Sequence, residues 1–309
     1  MKKGWLLAAL GCVLGFIFFE ACGIRKSVRL LGKDCSLRKS WSYSAADIYF
    51  SAITPSASGG QPASAFLMLW DGIPGVQVTA ALLLNLAMYS CSLVAIGLVC
   101  LVTRGRLFLS FGRIGRAMIL VGCLVQLVLM SFFLLLIRSE GILWKLGRAC
   151  IHGLGRLHLL REEEKLLRRF CTDMEQYRAC LELYGDRKGE VWQIFLCNLL
   201  QRSSQIGVTV CVYLAMGGGK PGAFDLWALQ SFVVIGANYI PIPGGMGVTD
   251  YLMLDGFSAF FAADQAAELE ILSRSLSFYV CVAICGGILL GKLLIPAIAR
   301  KEKCHDRCL

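Results

Sequence analysis

The sequence has little charge. Asp, Glu, Lys and Arg make up 17% of its 309 residues, against about 25% in soluble globular domains. Of the 52 charged residues, 20 fall between Arg138 and Glu190. The rest is apolar enough to exclude a disordered chain, a soluble enzyme and a nucleic-acid-binding domain. Histidine is scarcer still, with three in the chain. His152 and His158 have no partnering Cys or Asp pattern, and His305, flanked by Cys304 and Cys308, lacks a fourth ligand at zinc spacing. No metal and no cofactor is therefore expected. Proline is scarce as well, and four of the seven prolines lie in two short stretches. Cysteine is plentiful, but Cys12, Cys91, Cys100, Cys123, Cys197, Cys211, Cys281 and Cys285 lie inside apolar runs. There Cys acts as a small hydrophobe, and no disulfide framework is implied.

Lipid is the solvent that suits such a chain. A bilayer crossing needs ~18 or more mostly apolar residues. Five runs meet that length: Trp5 to Cys22, Gly75 to Val102, Ala117 to Ile137, Val191 to Met216 and Ser275 to Ala299. The first follows Lys2 and Lys3 like a signal peptide, but no small-residue cleavage site follows a short core, so it reads as a retained helix.

Two further segments are apolar but interrupted. Ser44 to Gly72 breaks at Thr54 to Pro62, and Phe224 to Ala262 breaks at Pro241 to Gly247. Proline removes a backbone donor and glycine tolerates non-helical dihedrals, so neither segment is one straight helix. Backbone freed at membrane depth must be buried in protein or line a cavity. The breaks are also alike. Gly59-Gly60 leads to Phe66-Leu67-Met68-Leu69 and Asp71-Gly72; Gly244-Gly245 leads to Tyr251-Leu252-Met253-Leu254 and Asp255-Gly256. A shift of 185 residues superposes the Gly-Gly pairs and the apolar quartets, with the Asp-Gly pairs one residue out of step, and lays the first span over the fourth. With three spans between the copies, the two would face opposite sides of the membrane, as in the inverted repeats of transporters. The expected fold class is an all-α polytopic membrane protein: about five full spans plus two broken, re-entrant segments. Residues 1–137 form one half and 191–309 the other. Between them, 138–190 reads as a cytoplasmic amphipathic segment, with Leu157, Leu160, Leu166, Leu167 and Phe170 at roughly helical spacing and Glu164 four residues before Arg168.

Loop charges set the orientation. Arg25, Lys26, Arg29, Lys33, Arg38 and Lys39 outweigh Lys2 and Lys3, placing the end of the first span in the cytoplasm. The basic tail (Arg300, Lys301, Lys303, Arg307) is expected there too. Arg104, Arg106, Arg113 and Arg116 would then lie outside, against the rule.

Ile53-Thr-Pro-Ser-Ala-Ser-Gly-Gly-Gln-Pro62 and Ile240-Pro-Ile-Pro-Gly-Gly-Met-Gly-Val-Thr-Asp250 resemble the two signatures of the lysylphosphatidylglycerol synthase transmembrane, or flippase-like, family. Gln201-Arg202, Arg274 and Tyr279 are similar to it too, and the likeness covers nearly the whole chain. It implies a bacterial cell-membrane module that moves aminoacylated phosphatidylglycerol between leaflets, an activity linked to resistance against cationic antimicrobial peptides. In its best-known members the module is fused to a soluble synthetase, which gives them a phosphatidylglycerol lysyltransferase label. The sequence read here ends at residue 309 without one, so that activity is not expected of it. The family's acid after the second break is usually Glu; here it is Asp250. The chain also starts about one helix late.

The candidate substrate site comprises Asp250, Arg202 and Arg274 with the break residues Gly59, Gly60, Gln61, Pro62, Pro243, Gly244, Gly245 and Gly247. Helix N-terminal amides exposed by each break attract phosphate. Arg202 lies near the middle of its span, where an ionisable group is costly and usually functional. Either arginine would pair with a lipid phosphate, and Asp250 with a cationic headgroup; an internal Asp250–Arg ion pair stays open as the alternative. Glu20 reads as an interfacial anchor. Gln61, Asn198, Gln201 and Asn238 are either polar lining or interhelical hydrogen bonds. Gly217-Gly-Gly-Lys220 lacks the Ser/Thr and spacing of a phosphate loop and reads as a turn.

The expected function is translocation of an anionic or aminoacylated phospholipid. A secondary transporter of another lipid-linked or small solute is the alternative, though the intramembrane acids it would need look few. A membrane enzyme would need a nucleophile–base or metal constellation, and the spans offer none. Membrane phospholipid is the expected partner, nucleic acid is not, and a homo-oligomer and a separate lipid-modifying enzyme are left open.

Overall fold

The computed structural model describes residues 2–138, 141, 144–145, 147–149, 151–152, 163–258 and 260–305, and no strand occurs among them. The helices are α1 (Lys3–Leu30), α2 (Leu37–Ile53), α3 (Gly60–Trp70), α4 (Gly75–Arg104), α5 (Arg113–Arg138), α6 (Glu163–Asp186), α7 (Lys188–Ala215), α8 (Lys220–Ala237), α9 (Val248–Phe257), α10 (Ala263–Arg274) and α11 (Cys281–His305). A π-helical turn, Ser275–Val280, joins α10 to α11.

Among the described residues, four stretches are long and apolar enough to cross a membrane: Lys3–Leu30, Gly75–Ser110, Arg113–Arg138 and Ala263–Leu294. The chain is thus a multi-pass membrane protein. The expected fourth span is α7, which is 28 residues long but is not among those four. Asn198, Gln201, Arg202, Ser203, Ser204 and Gln205 lower its apolar character. Polarity runs inside out, as lipid requires. Leu120, Val121, Leu124 and Val128 of α5 are exposed, whereas Gln126 on the same helix is buried. Its Nε2 donates to the Ser90 carbonyl at 3.0 Å, and it accepts from the Tyr239 hydroxyl.

The two halves repeat the same element order. α1, α2, a 3-10 turn, α3 and α4 correspond to α7, α8, a 3-10 turn, α9 and α10–α11, at offsets of 183 to 188 residues. The equivalent helices α1 and α7 form the most extensive contact in the molecule. Lys26 Nζ donates to Gln193 at 2.6 Å, Gly15 lies against Ser204, Cys12 Sγ is 4.0 Å from Cys211 Sγ, and the Lys2 amide reaches the Ala215 carbonyl. Rising numbers on one helix meet falling numbers on the other, so the pair is antiparallel and the halves are inverted. Small residues allow this close approach: a Cβ at Gly15 would sit 3.3 Å from Ser204 Oγ, and one at Gly207 3.4 Å from Cys12 Sγ. Other contacts exchange in the same way, α2 packing on α11 and α8 on α4. Among the described residues α5 has no counterpart; it packs on α4 and α8.

Each interrupted segment folds back as a helical hairpin, α2–α3 and α8–α9. The paired acids of the repeat secure the hairpin bases. Asp71 accepts from Tyr43 Oη at 2.6 Å and Lys292 Nζ at 2.9 Å, tying the first hairpin to α11. Asp255 accepts from the Gly112 amide at 2.9 Å, tying the second to the start of α5. The arginine-rich loop beyond α4 is partly accounted for, since Arg104 pairs with Asp225 and covers the Phe224 ring. In the middle segment, α6 buries Met174, Tyr177, Cys180 and Tyr184 along one face, and Tyr177 Oη reaches the Leu136 carbonyl. That stripe lies C-terminal to the one read from sequence. Leu157, Leu160 and His158 fall outside the described residues, as do Arg307 and Cys308.

Candidate functional site

The two breaks differ in construction although their sequences are alike. In the first, Thr54 ends α2. Its hydroxyl donates to the Phe50 carbonyl at 2.6 Å and accepts from the Gly59 amide at 2.9 Å, so one side chain satisfies both ends of the gap. Gly60 already belongs to α3 and is needed for closeness, since a Cβ there would run into the Asp47 carboxyl and Ser51. Pro62 lies in the first turn of α3, where its missing N–H costs nothing. In the second break Gly244, Gly245 and Gly247 have φ of 62°, 60° and 77°, a left-handed conformation open to glycine. The tips touch: the 3-10 turns Pro55–Ala57 and Pro243–Gly245 pack on each other.

Beneath the tips lies a cavity of about 510 Å³. Its wall draws on both halves: Phe16 and Glu20 of α1, Asp47 and Ser51 of α2, Gln61 of α3, Asn85 and Tyr89 of α4, Gln201, Arg202 and Gln205 of α7, Gln230 of α8, Arg274 at the end of α10 and Phe278 in the π-helical turn after it. Leu129 and Phe133 of α5 complete an apolar side. Broken backbone at membrane depth therefore borders a polar space, as the physics of a dry bilayer demands.

Arg202 is the fifteenth of the 28 residues of α7. Its guanidinium lies 4.2 Å from the Tyr89 ring centroid and 5.7 Å from that of Phe16, a cation–π placement that holds the group flat. One Nη donates to Gln205, while Nε has no partner among the described residues. Tyr89 in turn donates to Asn238 Oδ1 at 2.9 Å. Arg274 is held differently. Its Nε lies 2.9 Å from Asp250 Oδ1, and an Nη donates to the Gly244 carbonyl at 3.2 Å. Asp250 also accepts from the Gly247 amide at 2.9 Å, capping α9. The acid thus locks the second break to α10.

Of the residues singled out in the sequence, Gln61, Arg202, Gly244, Gly245 and Arg274 line the cavity together; Gly59, Gly60, Pro62, Pro243, Gly247 and Asp250 are not part of its lining. Gln201 and Asn238 line it as well, whereas Asn198 donates to Asn85 Oδ1 at 3.0 Å. Glu20 departs from expectation. It is 4% exposed, not an interfacial anchor, and accepts from Asn85 Nδ2 at 3.1 Å on the cavity wall. Burial of an acid within a span requires such partners. Asp47, Asn85, Tyr89, Gln205, Gln230 and Tyr239 escaped the sequence reading. The available signal was an acid, Asp47, inside an apolar run, which marks a functional position by default.

Comparison with known proteins places the chain in a family. The family described as "Lysylphosphatidylglycerol synthase TM region" matches residues 1–285. The chain belongs to this family. A relative within reach of sequence comparison is a UPF0104 membrane protein of Archaeoglobus fulgidus, 21% identical over 290 residues that make up 90% of this chain and 84% of that one. The matched stretch takes in both breaks, Arg202, Asp250 and Arg274, so the cavity lies wholly within the family's shared region.

Proposed function

We propose that this family member is a lipid translocase that moves an anionic or aminoacylated phospholipid, such as lysylphosphatidylglycerol, between leaflets. The observation that carries the reading is Arg202. A cation halfway along α7, with an Nε that has no partner among the described residues and a polar cavity beside it, suits a phosphate. The apolar side at Leu129 and Phe133 suits acyl chains. By the loop charges, the segment 138–190 and the C-terminus lie in the cytoplasm of a bacterial cell membrane. The halves then alternate in exposing the headgroup cavity to either side.

The test is reconstitution in liposomes carrying labelled phosphatidylglycerol and its lysyl ester, with the label on one leaflet quenched from outside. The protein is expected to raise exchange of one lipid above that of empty liposomes, and Arg202→Gln to remove the increase. Equal rates with and without protein for both lipids would end the proposal. A second reading, an ion-coupled transporter of a small solute, is favoured by one observation: Glu20 and Asp47 bring two acids to the cavity wall where the sequence had promised few.

A further inference from the structure

Glu20 and Asp47 have no task in headgroup binding through Arg202. The two carboxyls, one from α1 and one from α2, line the same cavity and act electrostatically on each other. Each is already met by an amide donor on its other side: Asn85 Nδ2 at 3.1 Å from Glu20 Oε1, and Gln61 Nε2 at 3.1 Å from Asp47 Oδ2. Carboxylate oxygens are acceptors only, so two carboxyls on one wall repel when both are charged and attract when one of them carries a proton. The surroundings agree. Ser51 from α2, Asn85 and Tyr89 from α4 and Gln61 from α3 are neutral groups facing the pair, and among the described residues Arg202 from α7 is the one cation acting on it. Arg274, on the far wall, is matched by Asp250. Two carboxylates against one guanidinium leave an uncompensated negative charge, which one proton removes.

Independent features point to a hydrated space in front of the pair. Gln201, 2% exposed, and Gln230, 8% exposed, both line the cavity, and each leaves its Oε1 without a partner among the described residues. Acceptors in such a wall call for donors from the cavity, water or ligand. Asp47 is the more open member and Glu20 the enclosed one, so protons exchange with cavity water by way of Asp47. Gly60 lets its backbone lie directly against the Asp47 carboxyl, where a Cβ would collide with Oδ1.

We propose that Glu20 and Asp47 share one proton and that this proton is co-bound with an anionic headgroup at Arg202. With the proton in place, the triad of two carboxyls and one guanidinium is neutral and Arg202 is free to pair with phosphate. When the proton passes to cavity water, the second carboxylate claims the guanidinium and repels the anion. Proton and phosphate therefore favour each other's binding, and by linkage the effect is mutual. This inference rests on the proposed role of Arg202 and adds an energy source to it, a transmembrane proton gradient.

The experiment is calorimetric titration of the full chain in nanodiscs, at mildly alkaline pH, with a soluble short-chain phosphatidylglycerol and separately with inorganic phosphate. Repeating each titration in two buffers of different ionisation enthalpy reads the protons taken up per ligand bound. Uptake approaching one proton is expected, with affinity about tenfold weaker than at mildly acidic pH, within the ~5–150-fold range of ordinary coupling. Asp47→Asn and Glu20→Gln should bind without uptake and with little pH dependence, while Glu182→Gln, on the exposed face of α6, should behave as wild type. Infrared spectra provide an arm independent of any ligand: a protonated-carboxyl stretch at neutral pH that Asp47→Asn removes. Absence of that band, or ligand binding without proton uptake, overturns the inference. If phosphate binds with uptake while the lipid does not, the proton–anion site stands and the lipid reading falls. If neither ligand binds, both fall.

Discussion

The Asp250–Arg274 pair offers a quantitative test of how the second break is held. Arg274 is 12% exposed and Asp250 35% exposed, with Nε and Oδ1 2.9 Å apart. Hydrogen bonds to charged groups contribute ~1.5–3 kcal/mol when buried, and fully exposed ion pairs ~0.2–1 kcal/mol. A pair with one nearly buried member falls between, about 1–2 kcal/mol. Asp250→Asn removes the charge but retains an oxygen for the Gly247 amide, so the cap of α9 survives and the ion pair does not. Arg274 keeps the Gly244 carbonyl and its position 5.0 Å from the Phe278 ring centroid. The stability loss should therefore be that of the pair alone, a fall in Tm of about 1.5–3 °C by the usual conversion. The decisive assay is a double-mutant cycle of Asp250→Asn, Arg274→Gln and both together, followed by thermal unfolding in nanodiscs. Partners in contact should show a coupling of about 1 kcal/mol or more, whereas independent sites add within ~0.3–0.5 kcal/mol. Additive losses would show that the pair does not hold the break, and the account of Asp250 as its lock would be wrong. Lipid exchange measured on the same variants separates the roles further. A positioning acid should slow exchange in proportion to the loosening of the Gly244 tip, and Asp250→Glu should restore much of it.

Gly60→Ala should destabilise the protein by about 1–3 kcal/mol, the cost of overpacking, because the new methyl meets the Asp47 carboxyl and Ser51; a melting temperature equal to wild type would contradict the packing described. Arg202→Lys keeps the charge but loses Nε and the guanidinium placed over the Tyr89 ring, so lipid exchange should fall by about tenfold or more with the fold intact; unchanged exchange would remove Arg202 from the site. Inversion of the halves is open to labelling: single cysteines at exposed Asp34, between α1 and α2, and exposed Gly219, between α7 and α8, in a background without exposed Cys171, should react with an impermeant thiol reagent from opposite sides of the membrane. Reaction of both from one side would refute the antiparallel arrangement of α1 and α7 as a topological statement.

How much of the site was legible in the sequence depended on the kind of signal. Pro241, Pro243 and Gly244–Gly245 announce a break through local backbone physics, and the break is where they place it. Arg202 announces itself as a charge in an apolar run. Glu20 was misjudged because its position near the end of an apolar run is also where a snorkelling anchor sits, and hydropathy carries no angular information about which neighbour a side chain meets. Asp47 was passed over for a related reason: its segment looked like an interrupted span, and nothing local shows that a hairpin turns this acid toward α1. The pairing of Asp250 with Arg274 could be written down as an alternative but not chosen, since 24 residues and a helix junction separate the two.

By itself the sequence determined the solvent, the helical class, the positions of both breaks and the existence of a repeat. These follow from composition, run length and the fixed stereochemistry of proline and glycine, all local properties. Only the tertiary structure decided that α1 and α7 lie antiparallel, that the two tips meet over one cavity, and which charges are matched there. Those outcomes depend on long-range packing of small residues such as Gly15 and Gly23, and on which buried polar groups find partners. Low charge, the feature most evident in the sequence, turns out to matter through its few exceptions: Glu20, Asp47, Arg202 and Arg274, far apart in sequence, meet at one cavity.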